Sequence, residues 1–448
     1  MRTPLIRPIR FSPSQVLVFG FAGLILVGAI LLTLPAATRD GRGLPIIDAL
    51  FEATTAVCVT GLIVVDTATV FTGFGQAVML VLIQFGGLGI MTLATMIFLF
   101  LGKRISLRER LVMQAALNVF TIEGVVRLTR YVILVSLAIE AFGAALLSFR
   151  FVPQFGFARG VWMSVFHSIS AFCNAGIDII GGFKSLTAYV GDPLVVLTIA
   201  GLIILGGIGF TVVAEVYQHR SFAKLSLHSK LALTVTGTLL AVGTLVIFLL
   251  ERTNPATLGS LPWGSKLLAS FFQAVTPRTA GFNTLTIADM TESSLVFTII
   301  LMFIGASPSS TGGGIKTTTF AVLVMAVIAV SRGSGEVTAF RRRLPATTVY
   351  RALAITAMAL GLVIMVAMVL TRTEQFSSFL PLLYETTSAF GTVGLSTGLT
   401  PQLSVAGKLL IIMTMFIGRV GPLTLTSALA ERAGRPPLHH PEDRVMVG

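Results

Sequence analysis

Residues 53–62 read Ala53-Thr-Thr-Ala-Val-Cys-Val-Thr-Gly61-Leu62, and the same layout returns three more times along the chain. The second copy is Ser168-Ile-Ser-Ala-Phe-Cys-Asn-Ala-Gly176-Ile177 and the third Gln273-Ala-Val-Thr-Pro-Arg-Thr-Ala-Gly281-Phe282. The fourth is Thr386-Thr-Ser-Ala-Phe-Gly-Thr-Val-Gly394-Leu395. Their final glycines lie 115, 105 and 113 residues apart. A second landmark follows each copy: Gly86-Gly87, Gly206-Gly207, Gly305-Ala306 and Gly418-Arg419. One such glycine carries no information, since glycine is frequent in membrane helices. Four in register mark an internal repeat.

The stretches between the copies set the solvent. Of 448 residues 54% are apolar and 11% charged, with mean hydropathy +0.91. A soluble chain carries roughly 25% charged residues, so this one is a membrane protein. The net charge of +13 would suggest nucleic acid in a soluble protein. Here it reads as basic loops beside a bilayer, and no nucleic-acid partner is expected. Cys58 and Cys173 both sit in apolar surroundings, which argues against a disulfide framework or metal cluster. The five histidines have no ligand spacing, and no HExxH or GK[ST] string is present. Soluble-enzyme chemistry is thereby set aside.

Stretches long enough to cross a bilayer need about 20 residues. Phe11 to Thr38, Thr67 to Gly102, Pro193 to Ala214, Leu231 to Leu250 and Ala352 to Thr371 carry no charge. Tyr131 to Phe149 is interrupted by Glu140 alone, Ser293 to Ser331 holds Lys316, and Leu409 to Ala430 holds Arg419. Within each pair lies an apolar piece too short to cross, around 49–57, 160–173, 265–275 and 377–390. Such pieces read as re-entrant helices, which exist only inside protein or beside a water-filled cavity. Of the 32 basic residues, twenty fall on one side when loops are assigned alternately, ten on the other and two inside spans. The richer side is expected to be cytoplasmic, with both termini there. The first apolar stretch is too long for a signal h-region, so no cleavage is expected.

The expected fold is therefore an all-α polytopic membrane protein. Four parallel span–pore helix–span repeats surround one central, potassium-channel-like pore: 11–102, 125–217, 230–331 with a broken second span, and 347–430. A cytoplasmic tail at 431–448 follows. An even number of spans per copy makes the repeats parallel, unlike inverted-repeat transporters. Four re-entrant loops about one axis give a ring of backbone carbonyls that can replace an alkali cation's hydration shell. Glycine is needed where the backbone takes conformations closed to other residues, and the short helices aim their negative C-terminal ends at the cavity. The expected metal-facing residues are Val57, Cys58, Val59, Thr60 and Gly61; Phe172, Cys173, Asn174, Ala175 and Gly176; Pro277, Arg278, Thr279, Ala280 and Gly281; and Phe390, Gly391, Thr392, Val393 and Gly394.

The third copy departs from the others. Its second span reads Gly305-Ala306-Ser307-Pro308-Ser309-Ser310-Thr311-Gly312-Gly313-Gly314-Ile315-Lys316, which cannot stay helical: Pro308 removes a donor and three successive glycines favour other conformations. Gly305 lies about 18 Å into the span at helical rise, so the break sits near the midplane and must line a cavity. A gate, a binding site and a plain hinge are all open readings. Arg419 sits at matching depth in the fourth copy. A cation there costs about 2.5–3.5 kcal/mol and needs partners, with hydroxyls and carbonyls of residues 305–312 the first candidates. It reads as an electrostatic barrier anchoring that loop, or as a cation satisfied by a carboxylate elsewhere. Lys316 reads as a gate residue or as a cation snorkelling toward the cytoplasm.

These strings resemble the Trk/Ktr/HKT superfamily of potassium transporters, and within it the membrane subunits of bacterial Ktr systems (KtrB/KtrD type). The likeness covers nearly the whole chain. It is most specific in Gln273 to Asn283, Ser388 to Leu395 and Phe416-Ile-Gly-Arg-Val-Gly-Pro422. With the first repeat at the start of the sequence, the additional N-terminal spans of TrkH are not expected here. The resemblance implies potassium as the ion, with sodium as an activator in many members. Glycine at all four tract ends is similar to the potassium-selective members, and the 305–316 stretch matches the family's intramembrane gating loop. It further implies a homodimer in the bacterial cytoplasmic membrane. A cytosolic ring of RCK-domain subunits (KtrA/KtrC-like) that bind ATP, ADP or NAD is its implied partner. No nucleotide is expected on this chain, because Gly86-Gly-Leu-Gly89 is only a look-alike within a span. The basic Arg341-Arg-Arg343 loop suits anionic membrane lipid or that ring.

Four acids and one cation remain. Glu52 and Glu385 each stand nine residues before a tract glycine and either add negative potential or pair locally. Asp178, two residues after Gly176, reads as a solvated loop acid or as a charge that attracts cations at the outer mouth, and Glu140 is a functional candidate without an assignment. Arg278 is expected to point away from the ions, toward the extracellular side or an acid. A sodium/potassium-coupled or organic-solute symporter is the competing function. An intramembrane enzyme finds no His/Asp, Ser/Lys or Cys/His arrangement to support it.

Overall fold

A computed structural model describes residues 12–89, 111, 114, 125–374 and 378–421. Expectations that concern residue 11, residues 90–102 and 422–430 and the 431–448 tail lie outside the described residues. The described chain is helical apart from one small hairpin, which pairs Thr338–Ala339 with Arg342–Arg343. Helices α1 (Pro13–Leu32), α2 (Ile46–Val57), the single turn α3 (Thr67–Val70) and α4 (Gly73–Leu88) form the first group. Helices α5 (Val125–Phe155), α6 (Phe157–Phe172), α7 (Pro193–Ile208) and α8 (Phe210–His219) form the second. The third holds α9 (Leu227–Glu251), α10 (Trp263–Val275), α11 (Glu292–Phe303) and α12 (Thr317–Ser331). The fourth holds α13 (Ala346–Thr373), α14 (Phe379–Gly391) and α15 (Val405–Val420).

Local sequence starts these helices. Ser12 and Gln15 form a capping box before α1, and Thr72, Asp192, Ser226, Thr291 and Ser404 each cap a helix with a side-chain oxygen. Among the described residues four helices are long and apolar enough to cross a membrane by themselves, including α9 and α13. Their outer faces carry Ile30, Leu134, Phe142, Leu245 and Met368, each more than half exposed. Water would not tolerate such a belt, whereas hydrocarbon does. The polar side chains instead lie inward: Glu52, Thr55, Ser170, Thr276, Glu385 and Ser388 are fully buried.

The second apolar stretch of each group differs from a single straight span. The 67–102 stretch opens with one turn and then α4, whose 16 residues cover about 24 Å and stop at Gly89. The 193–214 stretch is cut at Gly209, where α7 and α8 bend by 95°. The fourth group's helix stops at Gly421. These three glycines share one conformation, with φ 86°, 103° and 90° and ψ 138°, 132° and 136°. Side chains with a Cβ disfavour that region, so each glycine ends its helix three residues after the second landmark. In the third group the equivalent position is Pro308, and a loop from Ile304 to Lys316 replaces the bend.

Candidate functional site

The four repeated tracts meet. Gly61, Gly176, Gly281 and Gly394 have φ of 94°, 64°, 81° and 93°. The residue two positions earlier in each tract, Val59, Asn174, Thr279 and Thr392, is also left-handed, with φ of 49°, 58°, 67° and 50°. A methyl placed on Gly61 would overlap the carbonyl oxygen of Ala175. On Gly176 it would overlap that of Ala280, on Gly281 that of Val393, and on Gly394 that of Thr60. The contacts close a circle in chain order, with four glycines and the four preceding carbonyls on its rim.

Each tract hangs from the short helix before it, because its backbone groups must find partners inside the protein. The amides of Thr60, Ala175 and Val393 donate to the carbonyls of Thr55, Ser170 and Ser388 at 2.8 Å, and Ala280 donates to Thr276 at 3.0 Å. Hydroxyls finish the bracket. Thr55 Oγ1 accepts from the Gly61 amide (2.9 Å) and Ser388 Oγ from that of Gly394 (3.1 Å). Ser170 and Thr276 donate to the carbonyls of Ile177 (2.7 Å) and Phe282 (2.5 Å). The helices end within a few residues of the ring, so their negative ends face it.

The second glycine landmark explains the close fit behind the ring. A side chain on Gly86, Gly206 or Gly418 would run into the carbonyl of Val57, Phe172 or Phe390, the last turn of the neighbouring short helix. Gly305 instead meets the Gly313 carbonyl, because in the third group the loop occupies that space.

That loop is sewn to the second group. The amides of Ser307 and Thr311 donate to Gly207 (3.0 Å) and Gly206 (3.2 Å), and Phe210 donates to Ser309 (2.8 Å). The Thr311 hydroxyl donates to the Phe172 carbonyl at 3.2 Å. Ser307 and Thr317 share a hydroxyl bond of 2.9 Å, and Ser310 donates to the Ser307 carbonyl at 2.6 Å. Gly312 and Gly313 have no room for a Cβ beside Thr279 and Thr392, so the loop lies directly under the tracts; Gly305, Ala306, Pro308 and Gly314 complete it. Arg419 donates to the carbonyls of Thr311 and Gly86 and, at 3.3 Å, to that of Gly87. The expected partner in residues 305–312 is present, and the two carbonyls of α4 are additional. No carboxylate pairs with Arg419 among the described residues.

Other side chains stand differently from the sequence reading. Lys316 does not snorkel; its Nζ donates back to the Gly312 carbonyl (2.7 Å) and lies 3.4 Å from that of Gly313. Arg278 turns away from the ring and, among the described residues, pairs with no acid. Its guanidinium donates to Thr236 Oγ1 in α9 at 3.1 Å, well inside that helix. Asp178 is buried rather than solvated and accepts from the amides of Ile180 (2.9 Å) and Gly181 (3.4 Å). For Glu52 and Glu385 the local pairing holds. Glu52 accepts from Val64 (2.8 Å) and Val65 (3.2 Å), and Glu385 accepts from Ser396, Thr397 and Thr400. Both fasten the short helix to the segment leaving the ring. The helix-ending glycines Gly89, Gly209 and Gly421 were legible only as a third glycine, three residues after the second landmark.

On the side away from the loop the ring opens into a cavity of about 470 Å3, lined by the four glycines with Asp178, Lys184, Asn283, Thr286, Ser396 and Gln402 among others. Fold and site together define a multi-pass helical membrane protein centred on backbone oxygens, with a polar mouth on one side and a glycine-rich plug on the other. Comparison with known proteins gives the family. The TrkH family model, described as cation transport protein, matches residues 25–433. The Ktr system potassium uptake protein B of Bacillus subtilis is 50% identical over 99% of this chain and 98% of its own. The potassium/sodium uptake protein NtpJ of Enterococcus hirae is 41% identical over 98% of each. The crystal structure of the potassium transporter TrkH from Vibrio parahaemolyticus superposes with a TM-score of 0.74 at 18% identity, over 97% of this chain and 88% of that one. The chain belongs to the TrkH family of cation transport proteins.

Proposed function

We propose that the chain is the potassium-conducting subunit of a Ktr-type uptake system and has no covalent chemistry. The closed ring of four glycines and four carbonyls carries this reading. Backbone oxygens held at fixed spacing replace the shell of a weakly hydrated cation, and their close approach explains why glycine stands at all four positions. In this reading residues 57–61, 172–176, 277–281 and 390–394 form the filter of four parallel repeats. Residues 305–316 are the gate below it, and Arg419 is the barrier that latches the gate to α4. The mouth faces the exterior of a bacterial cytoplasmic membrane and both termini face the cytoplasm. Two copies form the unit, and a cytosolic RCK-type ring that binds ATP, ADP or NAD moves the gate. The likeness to Ktr-system proteins supports the multi-subunit assembly.

Purified full chain in proteoliposomes should take up rubidium-86, and potassium should block the uptake at far lower concentration than sodium. Equal block by both ions would remove the potassium-selective filter. A second reading, sodium-coupled or sodium-activated uptake, is favoured by the potassium/sodium name of the Enterococcus relative. It requires that uptake rise when external sodium is added at constant potassium.

The mouth supplies a pH prediction. Asp178 is the one carboxylate among the lining residues. Burial, with the nearby Asp66 charge adding to it, pushes its carboxyl from 3.8 up to about 6. The folded protein thus holds a proton that the unfolded chain has released between pH 3.8 and about 6. This group therefore favours folding below that window and costs stability above it. For transport the charge that attracts cations is present above about pH 6 and lost below. A unit charge roughly 10 Å away in near-aqueous surroundings is worth about 0.4 kcal/mol. Uptake should therefore fall about twofold when the external pH drops from about 7.5 to about 5, and Asp178→Asn should flatten the profile at the lower rate.

A further inference from the structure

Glu140, left without a role by the reading above, lies midway along α5 and is 4% exposed. Among the described residues it forms no ion pair, and a carboxylate at membrane depth is expensive to keep. What surrounds it is a junction of three elements. The Gln84 amide, on α4 of the first repeat, donates to both carboxylate oxygens at 3.0 and 3.1 Å. Cys173, the third residue before Gly176, has its thiol 3.5 Å from the Gln84 carbonyl oxygen and 3.9 Å from Glu140 Oε1. Ser168 on the short helix α6 donates to the Glu140 main-chain carbonyl at 2.6 Å. Glu140 therefore touches the tract and the neighbouring repeat through its carboxylate, and the helix before its tract through its main-chain carbonyl.

The junction has no slack. A methyl on Gly87, one turn beyond Gln84, would stand 2.6 Å from Cys173 Sγ and 2.7 Å from its Cβ. The next residue, Asn174, is left-handed and donates to Thr279 Oγ1 (3.2 Å) and the Arg278 carbonyl (3.3 Å) in the third tract. A displacement of Cys173 is thus passed to two adjacent tracts. The third repeat offers a comparison, since Arg278 holds the same place as Cys173 and also reaches back to the first helix of its own repeat, where it meets the neutral Thr236.

We propose that Glu140 and Gln84 are positioning residues for ion discrimination: through Cys173 they fix the second filter tract at the radius that accepts a dehydrated potassium ion and leaves sodium under-coordinated. A tract set from behind by hydrogen bonds resists the inward collapse that would suit the smaller ion, and selectivity depends on that stiffness. The inference rests on the potassium-filter reading.

The test measures sodium and potassium as competitors of rubidium-86 uptake into proteoliposomes holding the purified full chain. The readout is the ratio of their half-blocking concentrations. Wild type should show a large ratio. Glu140→Leu leaves the half-buried Gln84 amide without its acceptor, a loss that corresponds to about tenfold, so the sodium-to-potassium ratio should fall about tenfold. Glu140→Gln keeps an acceptor for Gln84 and should stay within about twofold of wild type. Gln84→Leu should fall as Glu140→Leu does, and the double variant should fall no further than either single one, because both cut the same link. A purely structural role would lower the amount of folded protein or the maximal uptake and leave the ratio where it was. If Glu140→Leu does not fold, Gln84→Leu alone decides. A ratio within twofold of wild type in the leucine variants overturns the inference. A wild-type ratio near one overturns the filter reading, and this inference with it.

Discussion

Gly281→Ala should abolish potassium-displaceable rubidium uptake while leaving the protein folded in the membrane. The added methyl would overlap the Val393 carbonyl oxygen and stand within 3.2 Å of the Gly176 and Gly394 Cα atoms. All three neighbours are backbone, which cannot rotate aside as a side chain does. Alanine at φ 81° also costs about 1–2 kcal/mol on conformational grounds. The rim carbonyl must then move, and each 1.4 kcal/mol lost from ion coordination is about tenfold. Uptake should fall at least about a hundredfold. Gly23→Ala is the control, since nothing lies within 4 Å of that position and alanine favours the helix. Far-UV circular dichroism and gel-filtration behaviour of Gly281→Ala should match wild type. Normal uptake in that variant would show that ions do not pass the ring.

Arg419→Ala should act in the opposite direction. The guanidinium holds the Thr311 carbonyl of the plug to the Gly86 and Gly87 carbonyls of α4, so its removal unlatches the loop and deletes a positive charge beneath the ring. For an ion roughly 10 Å from that charge at an effective dielectric near 20, the repulsion removed is about 1.7 kcal/mol, or about fifteenfold in rate. Uptake by the chain without regulatory subunits should therefore rise about tenfold or more. Arg419→Lys keeps the charge but lacks the planar fork that spans three carbonyls, so it should give an intermediate rate. Unchanged or reduced uptake in Arg419→Ala, with normal protein levels, would show that Arg419 is neither latch nor barrier.

The register of the four tract glycines was legible in the sequence because it is a local requirement. A left-handed residue at 61, 176, 281 or 394 is met by glycine whatever surrounds it. The same holds for the loop at 305–316, where Pro308 and the Gly312 to Gly314 run forbid a helix without help from neighbours. Gly89, Gly209 and Gly421 were harder to see, since a lone glycine in an apolar run is tolerated as helix and looks like a continuous span. The direction of Arg278 was half legible. Repulsion from a cation excludes the ring, but only the fold shows that Thr236 is what it meets.

The sequence by itself determined the solvent, the repeat and the places where glycine is obligatory, because hydropathy and backbone conformation are properties of a residue and its immediate neighbours. Only the tertiary structure decided that the tracts close in chain order, that Glu52 and Glu385 fasten loops and that Lys316 turns back on its own plug. It also decided that Arg419 bridges three carbonyls and that Glu140 stands behind Cys173. Each of those depends on which carbonyl or amide another part of the chain, often a hundred residues away, brings within hydrogen-bond reach in a medium that offers no water as substitute.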